Sequence, residues 1–329
     1  MQAVIPVTVL SGFLGAGKTT LLQHMLQAEH GLKLAVIENE FSATPIDGQL
    51  LGDKPVELMT LANGCVCCSI HVELEKALFV LLDKLDSGEL AFDRLVIECT
   101  GLADPAPVAQ TFFADEELAQ RYVLDGIITL VDAVNAERHL QEPIAQAQVG
   151  FADRILLSKT DLATPEQVDA LAQRLARINR RAPQRLVRNG QIELAELLDI
   201  RGFNLNAEMQ LQPVPVASNG LRLSPALAPA TERIRTLVLD SQQPLNLDRL
   251  SAFMEQLLAQ HSQSLLRYKG VLAVAGDERR LVFQGVLGLY AFDWDAPWGA
   301  DEPRQSVLVF IGDQLPEDEI RAGFAQLSS

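Results

Sequence analysis

The sequence predicts an α/β fold in which a mostly parallel sheet carries a phosphate-binding loop and a second, smaller α+β domain follows. Three observations predict it. The stretch Gly12-Phe13-Leu14-Gly15-Ala16-Gly17-Lys18-Thr19 follows an apolar, β-rich run and precedes a helical pattern that begins at Thr20. Apolar runs of strand length then alternate with helical periodicity through the first two thirds of the chain. Past a proline-rich stretch, that alternation gives way to closely spaced strand patterns between two helical ones.

Runs at 34–37, 94–97, 126–131 and 154–157 read as buried strands, and 72–85 and 165–178 read as helices. Such alternation implies right-handed crossovers and a sheet covered on both faces. The expected nucleotide-binding domain spans 1–212. Pro213, Pro215, Pro225 and Pro229, with Asn219 and Gly220 between them, mark a linker at 213–230. The second domain, 231–329, reads as strands at 234–239, 265–274, 281–287 and 307–311 with helices at 247–260 and 316–327. Pro316 suits a helix start, where its missing N–H costs nothing.

Composition narrows the function class. The chain has 329 residues, enough for two domains with sizeable cores, and 48% apolar content argues against disorder. Lys and Arg number 27 against 43 Asp and Glu, a net charge of −16. That balance disfavours nucleic acid and anionic membranes as partners. No apolar stretch approaches the ~20 residues needed to span a bilayer. The first apolar run has no basic segment before it, unlike a secretory signal. The expectation is a soluble cytoplasmic protein.

In the glycine-rich loop, successive backbone N–H groups turn inward around an anion where a Cβ would block approach. Lys18 supplies a point charge for the β- and γ-phosphates, and the Thr19 hydroxyl is placed to ligate Mg²⁺. Gly12, Phe13, Leu14, Gly15, Ala16, Gly17 and Thr20 complete the expected phosphate-binding set. A second motif, Leu95-Val96-Ile97-Glu98-Cys99-Thr100-Gly101, ends an apolar strand in a carboxylate and a glycine turn. Ligands in open α/β folds sit at that carboxyl edge. Glu98 can reach the Mg²⁺ shell or the attacking water, and the Gly101 N–H can meet the γ-phosphate. Cys99 reads as a buried strand-end thiol.

The stretch Ser158-Lys159-Thr160-Asp161 follows the strand at 154–157. Guanine presents N1–H and N2–H₂ donors that one carboxylate accepts together, so Asp161 is the expected base reader, with the Lys159 stem across the ring. GTPases usually carry Asn where this chain has Ser158. The alternative is an ordinary polar turn with Asp161 capping the next helix.

Cys65, Cys67 and Cys68 crowd three thiols into four residues. In a reducing compartment this suits a soft metal such as Zn²⁺ or Cu(I), with one more ligand completing a tetrahedron. A C-x-x-C redox pair and inert thiols are the alternatives. His71 reads as a solvated helix-surface residue. Glu38 and Glu40, in Glu38-Asn39-Glu40-Phe41, read as loop carboxylates after the second strand, where switch segments respond to nucleotide. Mg²⁺, a transition metal and water are all open as their partners.

The order of these motifs resembles that of the CobW-type P-loop GTPases, relatives of UreG and HypB, and the likeness runs over nearly the whole chain. It takes in Leu266-Arg267-Tyr268-Lys269-Gly270, Phe283-Gln284-Gly285-Val286 and the segment from Trp294 to Trp298. The resemblance implies GTP hydrolysis coupled to binding or delivery of Zn²⁺ or Co²⁺. By position it implies that Lys18, Thr19 and Glu98 serve phosphate and Mg²⁺, that Lys159 and Asp161 serve guanine, and that Cys65, Cys67 and Cys68, with Glu38 or Glu40, hold the metal. An unidentified client metalloprotein is the implied partner, and a homo-oligomer is a candidate assembly. Two departures stand out. Ser42-Ala43 replaces a Gly-Glu pair frequent in relatives, and the five His are scattered rather than gathered in a tract. The competing function is a nucleotide-gated metal or redox sensor that transfers no cargo.

Overall fold

The computed structural model describes residues 4–28, 31–39, 56–61, 69–200, 233–299 and 302–328. The expected linker at 213–230, Glu40 and Cys65, Cys67 and Cys68 lie outside the described residues.

The first part of the chain runs β1 (Ile5–Gly12), α1 (Lys18–Gln27), β2 (Leu34–Asn39), β3 (Val56–Leu61), α2 (Ser69–Asp86), β4 (Arg94–Glu98), α3 (Pro105–Ala114) and α4 (Glu116–Arg121). It continues with β5 (Tyr122–Asp132), α5 (Ala136–His139), α6 (Pro143–Phe151), β6 (Arg154–Ser158), α7 (Pro165–Ile178) and β7 (Gln184–Leu186). The seven strands order as β3-β2-β4-β1-β5-β6-β7, and every neighbouring pair is parallel. Central strands are buried on both faces: every residue of β4 is buried, which is why they read as continuous apolar runs. The chain first builds one side of β1 and then the other. The order therefore reverses at β1, and the carboxyl ends of β4, β1 and β5 flank this switch point, where ligands bind in open α/β sheets.

Each expected strand is present, most of them longer than read. The helix at 165–178 is matched by α7, which starts with Pro165 behind a Thr164–Gln167 capping box. Among the elements absent from the sequence reading, which also include α3, α4 and α5, four have identifiable reasons. β7 is a three-residue edge strand, Gln-Arg-Leu, with no buried face to show. β3 interrupts its apolar run with Glu57 and Thr60. In α6, Gln146 and Gln148 point inward and are each 1% exposed, so no amphipathic stripe is visible. The strand at Leu289–Pro297, in the second domain, is a half-exposed edge strand.

The C-terminal domain runs β8 (Ile234–Ser241), α8 (Leu247–His261), β9 (Leu265–Ala273), β10 (Arg279–Val286), β11 (Leu289–Pro297), β12 (Ser306–Asp313) and α9 (Glu317–Ala325). Its strands form an antiparallel sheet ordered β11-β10-β9-β12-β8. One face buries Leu237, Tyr268, Phe283 and Phe310 against Leu250, Met254, Leu257, Ile320 and Phe324 of α8 and α9. The other face packs on the first domain through Ile234, Leu266, Val309 and Ile311, which join that domain's core.

Polar contacts fix that junction. Thr236 Oγ1 donates to the Ile178 carbonyl at 2.6 Å. Arg267 donates to the Phe151 carbonyl at 2.6 Å and to Asp153 Oδ1 at 2.5 Å, and Lys269 Nζ reaches the same oxygen at 3.1 Å. Burial alone would raise the Asp153 carboxyl, but the charges of Arg267 and Lys269 outweigh it and hold the group below its usual range. Among the described residues, no helix is long and apolar enough to cross a membrane.

Candidate nucleotide and metal site

The loop between β1 and α1 has the shape its glycines foretell. Gly12 has φ +131°, and a Cβ there would lie 2.3 Å from the Leu130 carbonyl oxygen of the next strand. Gly17, at φ +99°, caps α1 in the left-handed conformation, with no side-chain cap hydrogen bond among the described residues. The N–H groups of the first turn and the helix dipole together favour an anion. Lys18 is buried and curls over the loop, donating to the Gly12 carbonyl at 2.7 Å and the Phe13 carbonyl at 3.3 Å. Burial lowers its pKa, partly offset by the carboxylate of Glu98.

Thr19, the next residue, donates its hydroxyl to Glu98 Oε1 at 2.9 Å. This contact brings together two residues 79 apart in sequence, because β1 pairs β4 with Leu10 opposite Glu98. The second oxygen, Glu98 Oε2, is buried without a hydrogen-bond partner among the described residues. Burial raises the Glu98 pKa, with the charge of Glu38 adding to it. A carboxylate oxygen that lacks a donor, beside a hydroxyl and repelled by a second carboxylate, is a donor set suited to a hard divalent cation. The residues present therefore fit Mg²⁺.

Glu38 is not in a loop after the second strand, as its sequence suggested. It belongs to β2, which runs to Asn39 because β3 and β4 continue alongside it, and its register partner in β4 is Glu98. The two carboxylates thus sit side by side at the sheet's carboxyl edge. β3 ends at Leu61, opposite Asn39, at this same edge. Among the described residues, no group of three or more His, Cys, Asp or Glu could hold a metal ion.

The turn after β4 presses on the phosphate loop: a Cβ on Gly101 would stand 2.5 Å from the Leu14 backbone. Only glycine fits. Cys99 is buried and its thiol is pushed up to about 12 by burial, which makes it inert, as expected.

On the other side of β1, Ser158 ends β6 and donates its hydroxyl to the Ala16 carbonyl at 2.7 Å. Lys159 adopts φ +57° and its ammonium meets Asp132 Oδ2 at 2.8 Å. Asp161 lies exposed on a single 3-10 turn, and the cap of the following helix is Thr164 instead. The capping alternative for Asp161 is thereby removed.

Comparisons with known proteins assign both parts of the chain to one family. Residues 6–185 match the CobW/HypB/UreG nucleotide-binding domain, and residues 234–328 match the cobalamin synthesis protein CobW C-terminal domain. The chain belongs to the CobW GTPase family. It is 52% identical over 324 residues to the zinc chaperone YjiA of Escherichia coli K12, covering 98% of each chain. The zinc chaperone CobW of Pseudomonas aeruginosa is 30% identical over 354 residues, covering 97% of this chain and 90% of that one. The crystal structure of Zn(II)-bound YjiA GTPase from E. coli superimposes with a TM-score of 0.80 at 48% identity, over 100% of both chains.

Sequence reasoning missed three contributors to this CobW-family site. Asp132 ends the apolar run of β5, a signal as legible as that of Glu98. Its Oδ1 accepts the Val134 and Asn135 N–H groups, and its Oδ2 accepts Asn135 Nδ2 and Lys159 Nζ. Burial would raise its pKa, but Lys159 and Asn135 bring it below the usual value. The turn after β7 was also missed, although its Asn189-Gly190 pair is a turn signal. Both residues have positive φ, and Gly190 packs within 2.8 Å of the Thr20 carbonyl oxygen, measured from the Cβ it lacks. The third is Gln148, whose role rests wholly on tertiary contacts.

Proposed function

We propose that this CobW-family protein hydrolyses GTP slowly and couples that cycle to the binding and delivery of a transition metal, Zn²⁺ before Co²⁺. The observation that carries the coupling is the register pairing of Glu38 with Glu98 on adjacent strands. Glu98 belongs to the Thr19 pair at the phosphate loop, while Glu38 is a candidate metal ligand with Cys65, Cys67 and Cys68. A change of charge at one carboxylate is felt by the other across one strand spacing. The names of the relatives, zinc chaperones and a Zn(II)-bound GTPase, support zinc as cargo.

In this reading the loop 12–17 and the α1 N-terminus hold the phosphates. Lys18 leaves the Gly12 and Phe13 carbonyls for the β- and γ-phosphate oxygens, and Glu98 and Thr19 would hold Mg²⁺. Mg²⁺ there would neutralise charge developing on the transferred phosphoryl group. Glu98 Oε1 orients the Thr19 hydroxyl, and the Gly101 N–H faces the γ-phosphate. Asp161 reads guanine while Lys159, anchored on Asp132, lies across the ring. Turnover is expected well below the ~10 s⁻¹ of a median enzyme, since beyond Mg²⁺ and Lys18 no cis arginine finger is evident among the described residues to stabilise the developing charge. Free thiolates and a metal cargo suit the reducing cytoplasm, and a client metalloprotein receives the ion.

The test is a thermodynamic box: Zn²⁺ titration of the reduced protein with and without a non-hydrolysable GTP analogue, on wild type and Cys67→Ala. Because YjiA with a glutamate and two cysteines changed to alanine also crystallised Zn(II)-bound, affinity rather than occupancy must be measured. The expected result is tight binding, lost in Cys67→Ala, with reciprocal coupling of about 1–3 kcal/mol between metal and nucleotide. Zn²⁺ should pass to an apo-acceptor only with hydrolysable GTP. Equal metal affinity with and without the analogue would defeat the coupling, and failure of transfer would favour a sensor.

A further inference from the structure

Helix α6 buries two glutamines, and the amide of each is engaged at a different boundary of the molecule. Gln148 Nε2 donates to the Gly101 carbonyl at 3.2 Å and to the Ala103 carbonyl at 3.0 Å, so it clamps the turn that follows Glu98. Its main-chain carbonyl accepts the Thr129 hydroxyl of β5 at 2.8 Å. Gln146 uses its side-chain oxygen to accept the N–H groups of Arg233 and Ile234, at 2.8 and 3.3 Å, where β8 opens the C-terminal domain. One turn further on, Gly150 meets Ile234 and Ile311, and the Phe151 carbonyl accepts Arg267.

An amide buried in an apolar helix is costly unless its hydrogen bonds are made, and an apolar residue of similar size would pack there without that cost. The turn Gln148 holds is pressed against Leu14 of the phosphate loop, and the carbonyl of its 101–102 peptide is the one the glutamine grips.

We propose that Gln148 is a positioning residue for the γ-phosphate, holding the Gly101 turn in the conformation that distinguishes GTP from GDP, and that α6 carries the state of this turn to the C-terminal domain. The proposal rests on the GTPase reading of the site. GDP lacks the group that Gly101 would meet, so loss of Gln148 weakens GTP selectively and leaves GDP binding as it was. The C-terminal domain senses the difference because the same helix holds β8 through Gln146 and β9 through the Phe151 carbonyl.

The experiment compares wild type with Gln148→Met, which keeps the side-chain volume and removes both donors. Binding of a non-hydrolysable GTP analogue and of GDP is measured with Mg²⁺, together with kcat at saturating GTP. The expected result is about a tenfold fall in the analogue-to-GDP affinity ratio with GDP affinity unchanged, since two neutral hydrogen bonds are lost. The conservative variant Gln148→Asn should recover part of the ratio. A ratio equal to wild type overturns the proposal, as does equal weakening of both nucleotides, which is what mere destabilisation produces. If wild type itself does not distinguish GTP from GDP, the underlying reading fails instead and the proposal falls with it. Hydrogen exchange on wild type supplies a second measurement that needs no variant. Amides 101–103 and 144–151 should gain protection together when the analogue replaces GDP, and a response confined to 101–103 overturns the relay.

Discussion

The Ser158 hydroxyl donates to the Ala16 carbonyl at 2.7 Å, tying the end of β6 to the middle of the phosphate loop across 142 residues of sequence. The residue that departs from the usual Asn of GTPases thus joins the phosphate side of the site to the segment proposed to read the base. Ser158→Ala should weaken GTP and GDP alike by about 0.5–1.5 kcal/mol, the net worth of one hydrogen bond, without altering the preference for guanine. Competition binding with GTP, GDP and ATP measures both quantities. An unchanged affinity would leave the contact without a functional role.

Base selection is expected to rest on Asp161, exposed on its own short turn and committed to no cap. Asp161→Asn places a donor opposite guanine's donors and should cost about 2–4 kcal/mol in GTP affinity. Xanthosine triphosphate should then bind the variant better than GTP does. Equal loss for both nucleotides, or wild-type preference for ATP, would remove the guanine assignment.

Glu98 sets function against stability. Its pKa is raised above the ordinary 4.5, chiefly by burial, so the folded state binds its proton more tightly than the unfolded chain does. Its stabilising contribution is therefore complete below the unfolded pKa and is lost as pH rises through the folded one. At neutral pH the ionised carboxylate costs stability in the nucleotide-free protein. Glu98→Gln, which keeps an acceptor for Thr19, should raise the nucleotide-free melting temperature at pH 7 and narrow its gap to the value at pH 4.5. The same change should abolish Mg²⁺-dependent tightening of GTP. Thermal melts across pH, with and without Mg²⁺·GTP, test both; a lowered melting temperature at neutral pH refutes the assignment of burial as the dominant cause.

Asp153 faces two cations from the C-terminal domain and is buried with Arg267, while Lys269 is part-exposed. Asp153→Ala leaves Arg267 buried without its carboxylate and should cost about 3–5 kcal/mol in urea unfolding. Lys269 is the surplus cation, its pKa pushed down to about 8 by burial despite Asp153, so its ammonium is disfavoured in the folded state. Lys269→Met should then be tolerated or stabilising at pH 7, and any advantage should shrink as pH rises through about 8. A large loss for Lys269→Met would show that both cations are needed at this junction.

Much of the site was legible because phosphate chemistry constrains neighbours in sequence. The glycines, Lys18 and Thr19 must be contiguous to form one loop, and Glu98 announces itself as a carboxylate ending an apolar run. Asp132 carries a comparable signal and was passed over because its partner, Lys159, is a strand away. Gln148 carries no signal at all: a glutamine in a helix reads as surface until the turn at 101–103 is seen against it.

Taken alone, the sequence determined the parallel-sheet fold, the phosphate loop, the acid at the strand end and the α+β character of the C-terminal part. These follow from periodicity and from motifs whose residues act within a few positions of one another. Tertiary structure decided the rest. It extended β2 so that Glu38 stands beside Glu98, set Ser158 under the Ala16 carbonyl, and turned the glutamines of α6 toward two different boundaries. Each of these depends on strand order and helix docking, which bring residues tens of positions apart to hydrogen-bonding distance and leave no local pattern for a sequence to show.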